Sequence, residues 1–385
     1  MRVLLNALNC TAIGPRMVMT NLLPRLAEVA PDISWEALLP CGYGYESWRP
    51  LPNLNIRWVK LKGIRELERL RDIFYRVPKW CKELGIDICF TLGEIGPLSP
   101  GVPHVVLLHQ AYLCNSADSL KFPIERRERL GLAYMRWHLS RMARAGARFI
   151  VQTPVMRDAF LRNYSLPSDR VSVILQTVPQ SVSGCLQNEV QPDPEMLRIG
   201  SRLNLLFISG YYFHKNHEVI VPVIQELRKR GVDGDVHFFL TLPVDGKRGC
   251  RELLKSLEPY RGQVTNLGVI APERIPGVYK AAHALFLPTF LESLGLPYLE
   301  AMATGTPMLT SDRDFARWMC EDLAYYFEPT DTASVADAIC EFMQQPEDSY
   351  YKERAKKRLA AFPQNWDIVA RNYVNVLKSA YNRSW

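Results

Sequence analysis

The stretch ALFLPTFLESLGLPYLEAMATGTP, residues 284–307, places two carboxylates in an otherwise apolar segment. Its first five residues predict a buried strand, because a short apolar run bounded by turn-forming residues is typical of parallel sheets. Pro297 suits the first turn of a helix, so we expect a helix from about Leu296 to Ala303. Glu292 would then lie in the loop after the strand, with Glu300 about one turn inside the helix.

This loop and helix start predict a site for a phosphorylated ligand. Gly295 permits a close approach of backbone to ligand, and the first N–H groups of a helix, together with its dipole, favour bound phosphate. The arrangement suits a nucleotide-sugar, with Glu292 near the sugar, amides on the phosphates and Glu300 on the ribose hydroxyls. The spacing alone also fits two carboxylates without a ligand, one solvated and one on a helix face.

The rest of the chain alternates apolar strands with helical patterns, which is typical of βαβ units and parallel sheets covered on both faces. A polar, irregular stretch at residues 178–197 interrupts the alternation and predicts a linker or long loop. The predicted strands before it are Val3–Leu8, Ile33–Leu39, Ile56–Leu61, Ile86–Thr91, His104–His109, Arg148–Gln152 and Val171–Leu175. Those after it are Leu203–Ser209, Val236–Thr241, Gln263–Val269, Ala284–Pro288, Pro307–Thr310 and Ala324–Phe327.

These patterns predict two doubly wound α/β domains, residues 1–180 and 198–365. Helices are expected between the strands, among them Pro15–Ala30, Arg65–Leu84, Ile124–Ala145, Glu218–Arg230, Arg251–Leu257, Pro272–Lys280 and Ser334–Gln344. Residues 366–385 contain an amphipathic helix that needs a partner surface. Its predicted apolar face consists of Ile368, Val369, Tyr373, Val376, Leu377 and Ala380.

Composition and charge bear on membrane spans, on the redox compartment and on the partners that the chain could bind. No run reaches the roughly 18 apolar residues of a membrane span, and nine scattered cysteines without a C-x-x-C pair favour a reducing cytoplasm. Residues 1–177 carry 24 Lys/Arg against 15 Asp/Glu, a net charge of +9, whereas residues 178–385 carry −2. The basic half fits an anionic membrane surface, an acidic substrate or nucleic acid as well as an ordinary solvated surface.

Residues 286–307 resemble the signature of the retaining glycosyltransferases of family 4, which have the GT-B fold of two facing Rossmann-like domains, an N-terminal acceptor-side domain and a C-terminal donor-binding domain. The matching residues are Pro288, Glu292, Gly295, Leu296, Pro297, Glu300, Ala301, Met302, Ala303, Gly305 and Pro307. Thr289, Ser293 and Leu294 depart mildly from the family pattern, since backbone amides make most phosphate contacts. The resemblance implies that the loop Glu292, Ser293, Leu294 and Gly295 binds the donor together with Glu300. Residues 362–381 resemble the family's terminal crossover helix, which implies that residues 366–385 pack back on the N-terminal domain.

Residues 207–227 resemble the family's strand, glycine-bearing loop and helix start. The resemblance makes Gly210 a donor-binding residue and Lys215 the counter-charge of the donor diphosphate. Many members carry an Arg directly after this glycine, where this chain has Tyr211 and Tyr212. Either Lys215 carries the charge with help from amides, or a basic residue of the other domain contributes.

Three further segments resemble parts of the family's donor site. Leu267, Gly268, Val269 and Ile270 correspond to the turn that holds the nucleotide base through backbone groups. Residues 9–26 resemble the first phosphate-facing loop, of which only Gly14 remains, and a lone glycine is weak evidence. His109, at the end of a predicted strand, matches a histidine that contacts the donor sugar, although a strand-end histidine is more often structural. A weaker match places Gln152 and Thr153 at the cleft.

The resemblance implies metal-independent transfer of a hexose-type sugar, with retention, from a nucleoside diphosphate sugar to a saccharide or lipid-linked acceptor in cell-surface polysaccharide synthesis. Catalysis would rest on Glu292, Lys215 and His109, without a further cofactor. Two D-x-D pairs, Asp233 with Asp235 and Asp312 with Asp314, are more typical of turns and helix caps than of a metal site.

Other hypotheses remain open. The missing Arg fits a non-catalytic nucleotide-sugar-binding partner of a transferase, and the fold also fits a sugar-nucleotide epimerase, for which no extra acid/base carboxylates are identified. The basic residues form no motif that binds nucleic acid. The basic helix within residues 122–148, with Tyr134 and Trp137, and the segment Gly63–Trp80 fit a peripheral protein at the inner face of the cytoplasmic membrane. A core-packing helix with a charged outer face fits them equally.

Overall fold

The computed structural model describes residues 1–11, 13–45, 51–60, 70–115, 126–197, 202–345 and 349–382. The chain forms two compact units, Met1–Thr177 with Pro363–Trp385, and Val178–Phe362. Each contains a parallel sheet with helices, so the predicted two-domain α/β class is confirmed. The irregular stretch at residues 178–197 belongs to the second unit, where Val182 and Cys185 pack against Ala303.

The first unit contains a parallel seven-stranded sheet among its described residues, in the order β3-β2-β1-β4-β5-β6-β7. Its strands are β1 (Arg2–Asn6), β2 (Ser34–Pro40), β3 (Leu54–Val59), β4 (Ile88–Leu92), β5 (His104–Leu107), β6 (Arg148–Val151) and β7 (Val171–Val173). All seven predicted strands are confirmed, with small differences at their ends. The chain winds outward from β1 to β3 and then crosses to β4, so the direction of winding switches between β1 and β4.

Helices cover both faces of this sheet. They are α1 (Ile13–Val29), a π-helical turn (Asp72–Arg76) that continues into α2 (Val77–Glu83), α3 (Ala111–Cys114), α4 (Arg126–Arg144) and α5 (Pro154–Tyr164). The predicted helix Arg65–Leu84 is described only from residue 70, and the predicted helix Ile124–Ala145 only from residue 126. Strand residues buried on both faces explain why these strands read as continuous apolar runs.

The second unit repeats this winding in a parallel sheet whose described strands number six, in the order β10-β9-β8-β11-β12-β13. The strands are β8 (Leu203–Phe207), β9 (Val236–Leu240), β10 (Val264–Asn266), β11 (Ala284–Leu287), β12 (Met308–Ser311) and β13 (Ala324–Phe327). All were predicted. The winding switches direction between β8 and β11, the point where open α/β sheets bind ligands at the carboxyl ends of their strands.

The described helices of the second unit include one at each predicted place and three that the sequence patterns did not predict. They are α6 (Pro194–Leu197), α7 (Ile220–Lys229), α8 (Arg248–Leu257), α9 (Ile275–Ala281), α10 (Leu296–Thr304), α11 (Asp314–Cys320), α12 (Thr332–Gln344) and α13 (Tyr351–Leu359). The unpredicted helices are α6, which lies in the stretch predicted as a linker or long loop, α11 and α13. Within the described residues, no helix has the length and apolar character needed to cross a membrane.

The last helix, α14 (Trp366–Asn382), packs on α1 in the first unit. The Gln176 side chain donates to the Tyr373 hydroxyl at 3.1 Å, and Lys378 donates to Asp32 at 3.0 Å. Four of the six residues of its predicted apolar face are buried, and Val376 is half-buried against the same core. Ile368 is half-buried, and Ala370 and Val374 are buried as well, so the buried face is wider than predicted.

Candidate functional site

Two predicted catalytic residues meet at the switch point of the second sheet. Lys215 lies in the loop after β8, and Glu292 lies in the loop after the neighbouring strand β11. Lys215 Nζ donates to Glu292 Oε1, and the two side chains are only 13% and 8% exposed. Each charge supplies the partner that a buried ion needs to offset its lost hydration.

The two loops are joined through one backbone carbonyl. The His214 carbonyl accepts the Phe290 N–H at 2.7 Å and the Thr289 hydroxyl at 2.9 Å. Thr289 is one of the mild departures from the family pattern, and its hydroxyl makes this contact. The position of Glu292 is therefore fixed relative to the residue directly before Lys215.

Lys215 ends a short 3-10 turn, Phe213–Lys215, rather than starting α7. The next residue, Asn216, has a left-handed backbone with φ of +59°, which asparagine tolerates better than most residues. Its side chain donates to the Pro329 carbonyl at 3.0 Å. This anchored turn separates Lys215 from the helix and directs its side chain toward β11.

Gly295 adopts a left-handed conformation with φ of +73° directly before α10. A Cβ there would lie 2.5 and 2.7 Å from ring carbons of Tyr298, so only glycine fits. Ser293 is half-buried and Leu294 is buried in the preceding loop. The amino end of the nine-residue helix α10, with its positive dipole, thus begins at Leu296, shortly after Glu292. Among its first residues, Pro297 has no N–H and the Tyr298 N–H donates to the Gly295 carbonyl at 3.0 Å.

Glu300 is buried inside α10, with 7% of its surface exposed. The Tyr279 hydroxyl donates to Glu300 Oε2 at 2.8 Å. Burial raises the pKa of Glu300 to about 7, and the hydrogen bond from Tyr279 opposes that rise. The sequence patterns did not single out Tyr279, which lies on α9 and reaches Glu300 only through the packing of two helices.

The predicted donor-binding residues Gly210, Leu267 and Val269 lie at the same edge of this sheet, in the loops after β8 and β10. Gly210 lies beside the Tyr212 ring, which a Cβ would approach to 3.2 Å. Leu267 is half-buried and Val269 is exposed. Gly268 between them has φ of +72°, so the turn places Val269 outward.

Hydrogen bonds connect these loops across the intervening strand β9. The Ser209 N–H donates to Thr241 Oγ1 at 3.0 Å, and the Leu242 N–H donates to Asn266 Oδ1 at 2.8 Å. The Leu267 N–H donates to the Leu240 carbonyl at 2.8 Å. The loops after β8, β9 and β10 therefore form one connected edge.

Tyr211 occupies the position where many family members have the Arg that contacts phosphate. Its hydroxyl donates to Glu218 Oε1 at 2.7 Å, and its ring lies against Gly249. The tyrosine thus has a structural partner and brings no positive charge to the switch point.

In the first unit, His109 lies two residues beyond β5. Its Nε2 is buried and has no hydrogen-bond partner within the described part of the chain. Burial lowers the pKa of His109 to about 4, so the imidazole is neutral at pH 7. A neutral imidazole with an unused nitrogen is suited to hydrogen bonding with a hydroxyl.

Sequence reasoning missed Glu94, which positions the His109 segment. Glu94 follows β4, and its Oε1 accepts the backbone N–H groups of His109 and Gln110, each at 2.9 Å. The side chain is 8% exposed. A carboxylate directly after a buried strand was the signal available, but its partners depend on which strand lies next to β4.

Gly14 and Thr153 have less specific surroundings. Gly14 lies in the first turn of α1, where an added Cβ would meet no atom within 4 Å. Its backbone therefore does not require glycine, although the open space leaves room for another group to approach. Thr153 caps α5, its Oγ1 accepting the Met156 N–H at 3.2 Å, and this contact gives it a structural role.

One carboxylate of each D-x-D pair forms an ion pair. Asp233 pairs with Arg228 at 3.1 Å, and Asp312 accepts two bonds from Arg317 at 2.7 and 2.8 Å. Over the residues that the structure describes, no group of three or more His, Cys, Asp or Glu side chains is arranged to hold a metal ion.

Comparisons with known proteins bear on this geometry. Residues 202–345 match the family model described as glycosyl transferases group 1, and residues 46–179 match that of glycosyltransferase family 4. An alpha-D-kanosaminyltransferase of Streptomyces kanamyceticus is 24% identical over 80% of this chain and 77% of its own length. O-antigen chain mannosyltransferase B of Escherichia coli is 24% identical over 58% of each chain.

Solved structures share the fold. The sucrose-phosphate synthase of Thermosynechococcus elongatus superposes with a TM-score of 0.73 and 16% identity, covering 100% of both chains. A trehalose-6-phosphate structure from E. coli, bound with UDP-2-fluoro glucose, gives a TM-score of 0.69 and 11% identity, covering 98% of this chain and 99% of its own. With the two family models matching one unit each, this chain belongs to glycosyltransferase family 4 and has the GT-B fold.

Proposed function

We propose that this glycosyltransferase moves a hexose-type sugar from a nucleoside diphosphate sugar to a hydroxyl of a saccharide or lipid-linked acceptor, with retention of anomeric configuration. The observation that carries the proposal is the buried pair of Lys215 and Glu292 at the switch point, directly before the amino end of α10. A cation, a carboxylate and a helix amino end together suit a ligand that contains both phosphate and sugar hydroxyls.

In this proposal, the leaving diphosphate is stabilised by Lys215 and by the amides at the start of α10. The bond between the anomeric carbon and the phosphate oxygen breaks while the acceptor oxygen bonds to the same face of that carbon. The departing phosphate oxygen takes the acceptor's proton. Glu292 binds sugar hydroxyls and offsets positive charge that develops on the ring. Preorganised charges of this kind are usually the largest catalytic term, and Lys215 supplies the cation that a metal would otherwise provide.

The names of relatives favour an acceptor from envelope glycan synthesis. Two relatives are O-antigen chain mannosyltransferases, and these two names support the proposal. We therefore propose a role in cell-surface polysaccharide synthesis from the cytoplasmic side, with His109 contacting the donor sugar. The buried and neutral imidazole of His109 supports that assignment.

The first unit has a surface suited to an anionic membrane. Leu130, Tyr134 and Trp137 are exposed at helical spacing along α4, which carries six Arg and one Glu. Phe74 and Tyr75 of the π-helical turn are also exposed. The helices α2 and α4 cover the same sheet face, since their core clusters include strand residues that the register of β4 and β5 places on one side.

We propose that this surface contacts anionic lipid headgroups, because exposed aromatic and basic side chains together favour membrane interfaces. Flotation with vesicles of phosphatidylcholine, with and without phosphatidylglycerol, measures the contact. Binding should require the anionic lipid, weaken with salt and fall in the double variant Tyr134→Ala, Trp137→Ala. The matched control is Tyr350→Ala, an exposed tyrosine of the second unit. Equal binding by all three proteins would contradict the proposal.

The main experiment is a panel of UDP-, GDP-, ADP- and dTDP-sugars tested for thermal stabilisation and for release of the nucleoside diphosphate. One donor should bind and turn over, whereas Lys215→Ala and Glu292→Ala should lower turnover by about 10²-fold or more. Lys255→Ala is the control, because Lys255 is an exposed lysine of the same unit in the last turn of α8. Full activity in both site variants would refute the assignment, and NMR of the product's anomeric proton tests retention.

A second candidate is a non-catalytic nucleotide-sugar-binding partner of an active transferase. The observation that favours it is Tyr211, bonded to Glu218 where many family members have a phosphate-binding Arg. Stabilisation by a nucleotide-sugar without any turnover, across a broad set of acceptors, would favour this candidate over the enzyme.

A further inference from the structure

The two oxygens of the Glu300 carboxylate have different surroundings. Oε2 accepts the Tyr279 hydroxyl at 2.8 Å, whereas Oε1 has no hydrogen-bond partner within the described residues. Oε1 is also absent from the buried polar atoms that lack a partner, so it is the oxygen that reaches the surface. Oε2 is thus hydrogen-bonded within the protein, whereas Oε1 is open to a ligand at the surface.

Tyr279 is itself held firmly. It is fully buried on α9, and its backbone carbonyl accepts the Thr306 hydroxyl at 3.1 Å. Its own hydroxyl also lies 3.3 Å from the Pro297 carbonyl, in the first turn of α10. Tyr279, which lies on α9, therefore connects the Glu300 carboxylate on α10 to the first turn of α10.

We propose that Tyr279 is a positioning residue of the donor site, which occupies Glu300 Oε2 and so directs Oε1 at the ribose hydroxyls of a nucleoside diphosphate. The inference rests on the proposed function, because it needs a ribonucleotide ligand. Because burial raises the pKa of Glu300 to about 7, its carboxylate is mainly ionised above that pH. In the ionised form it only accepts hydrogen bonds, and a ribose diol offers two O–H donors. A fixed carboxylate binds such a diol without the entropy cost of being ordered first.

The experiment is a thermodynamic cycle in which the Tyr279 hydroxyl and the ribose hydroxyls are removed separately and together. Calorimetry measures the affinity of the best-binding nucleoside diphosphate and of its 2′,3′-dideoxy counterpart for the wild type and for Tyr279→Phe. The wild type should prefer the ribonucleotide. Tyr279→Phe should lose about tenfold in affinity for the ribonucleotide and almost nothing for the dideoxy ligand, as removal of one hydrogen bond predicts.

Tyr351→Phe is the matched control, because Tyr351 is a buried tyrosine of the same unit whose hydroxyl donates to the Thr306 carbonyl at 3.0 Å. It should lower thermal stability and leave the preference for ribose unchanged. Equal weakening of both ligands by Tyr279→Phe would show that the tyrosine only packs, and would overturn the inference.

Glu300→Gln provides a second route if Tyr279→Phe does not fold. It should also reduce the preference for the ribonucleotide, and an unchanged preference would overturn the inference. Failure of the wild type to bind any nucleoside diphosphate would instead contradict the proposed function, so the two failures are distinguishable.

Discussion

The two units wind their sheets in the same way but place different chemistry where the winding switches. In the second unit, side chains from β8 and β11 form the charged pair Lys215–Glu292. In the first, the Asn9 side chain, after β1, donates to the Ile95 carbonyl at 2.8 Å, and Glu94 accepts backbone N–H groups. Equal topology therefore fixes where loops converge, while the residue types decide whether side chains or backbone groups meet there.

This difference has consequences for function. A charged pair can exchange one partner for a charged ligand, whereas a carboxylate bound to backbone amides mainly fixes a loop. Substitutions at the Lys215–Glu292 pair should therefore affect turnover, and substitution of Glu94 should affect local order. Four variants test that division.

The largest effect is expected for Lys215→Ala. Loss of a preorganised charge on the leaving group should lower turnover by about 10²–10³-fold. Initial rates of nucleoside diphosphate release measure the change, with Lys255→Ala, at an exposed lysine in the last turn of α8, as the matched control. A loss smaller than threefold, on the order of thermal energy, would show that the pair is structural and that the two units do not differ in this respect.

Glu300→Gln should change how stability depends on pH. The folded-state pKa of Glu300, about 7, is above the ordinary glutamate value of 4.5, so the folded protein binds more protons between these two pH values. The free energy of unfolding should therefore fall as pH rises from about 4.5 to beyond 7, by about 3 kcal/mol. Urea unfolding at several pH values measures this, and Glu300→Gln should remove that part of the dependence. An identical pH dependence in both proteins would contradict the prediction.

Gly295→Ala should destabilise the second unit by about 2–3 kcal/mol, from the left-handed backbone and the contact with the Tyr298 ring. Gly262→Ala is the control, because a Cβ at Gly262 meets nothing within 4 Å. Thermal unfolding compares the two variants. Equal thermal unfolding midpoints of the two variants would mean that the loop before α10 adapts to a Cβ, and that Gly295 does not fix the helix amino end.

The smallest effect is expected for Glu94→Gln in the first unit. The amide oxygen still accepts hydrogen bonds but without charge, so we expect a loss of about 1 kcal/mol. Hydrogen exchange should show reduced protection of the His109 and Gln110 amides. Asp158→Asn, at an exposed side chain of the same unit, serves as control. Unchanged protection in Glu94→Gln would contradict the positioning role.

Much of the second unit's site could be predicted because its motif is local. The strand, the turn at Gly295 and the helix that carries Glu300 follow one another within residues 284–304, so local rules suffice to place them. Lys215 followed from the resemblance of residues 207–227 to the family's strand, loop and helix start. The sequence thus located the residues that one segment orders by itself.

The remaining contacts depend on which elements are neighbours. Glu94 reaches His109 only because β4 lies beside β5, and Tyr279 reaches Glu300 only because α9 lies beside α10. On the last helix, apolar residues flank the predicted face on both sides, so periodicity could not show that Ala370 and Val374 are buried as well. Packing against α1 determines how wide the buried face is.

The shared carbonyl of His214 has a consequence for engineering. Because Thr289 and Phe290 both donate to it, the loops bearing Lys215 and Glu292 behave as a single clamped part. A graft of only one loop from another glycosyltransferase would replace one side of this contact. The charged residue on the remaining loop, Lys215 or Glu292, would then be misplaced relative to its partner. Exchange of donor preference between relatives should therefore succeed only when both loops are transplanted together.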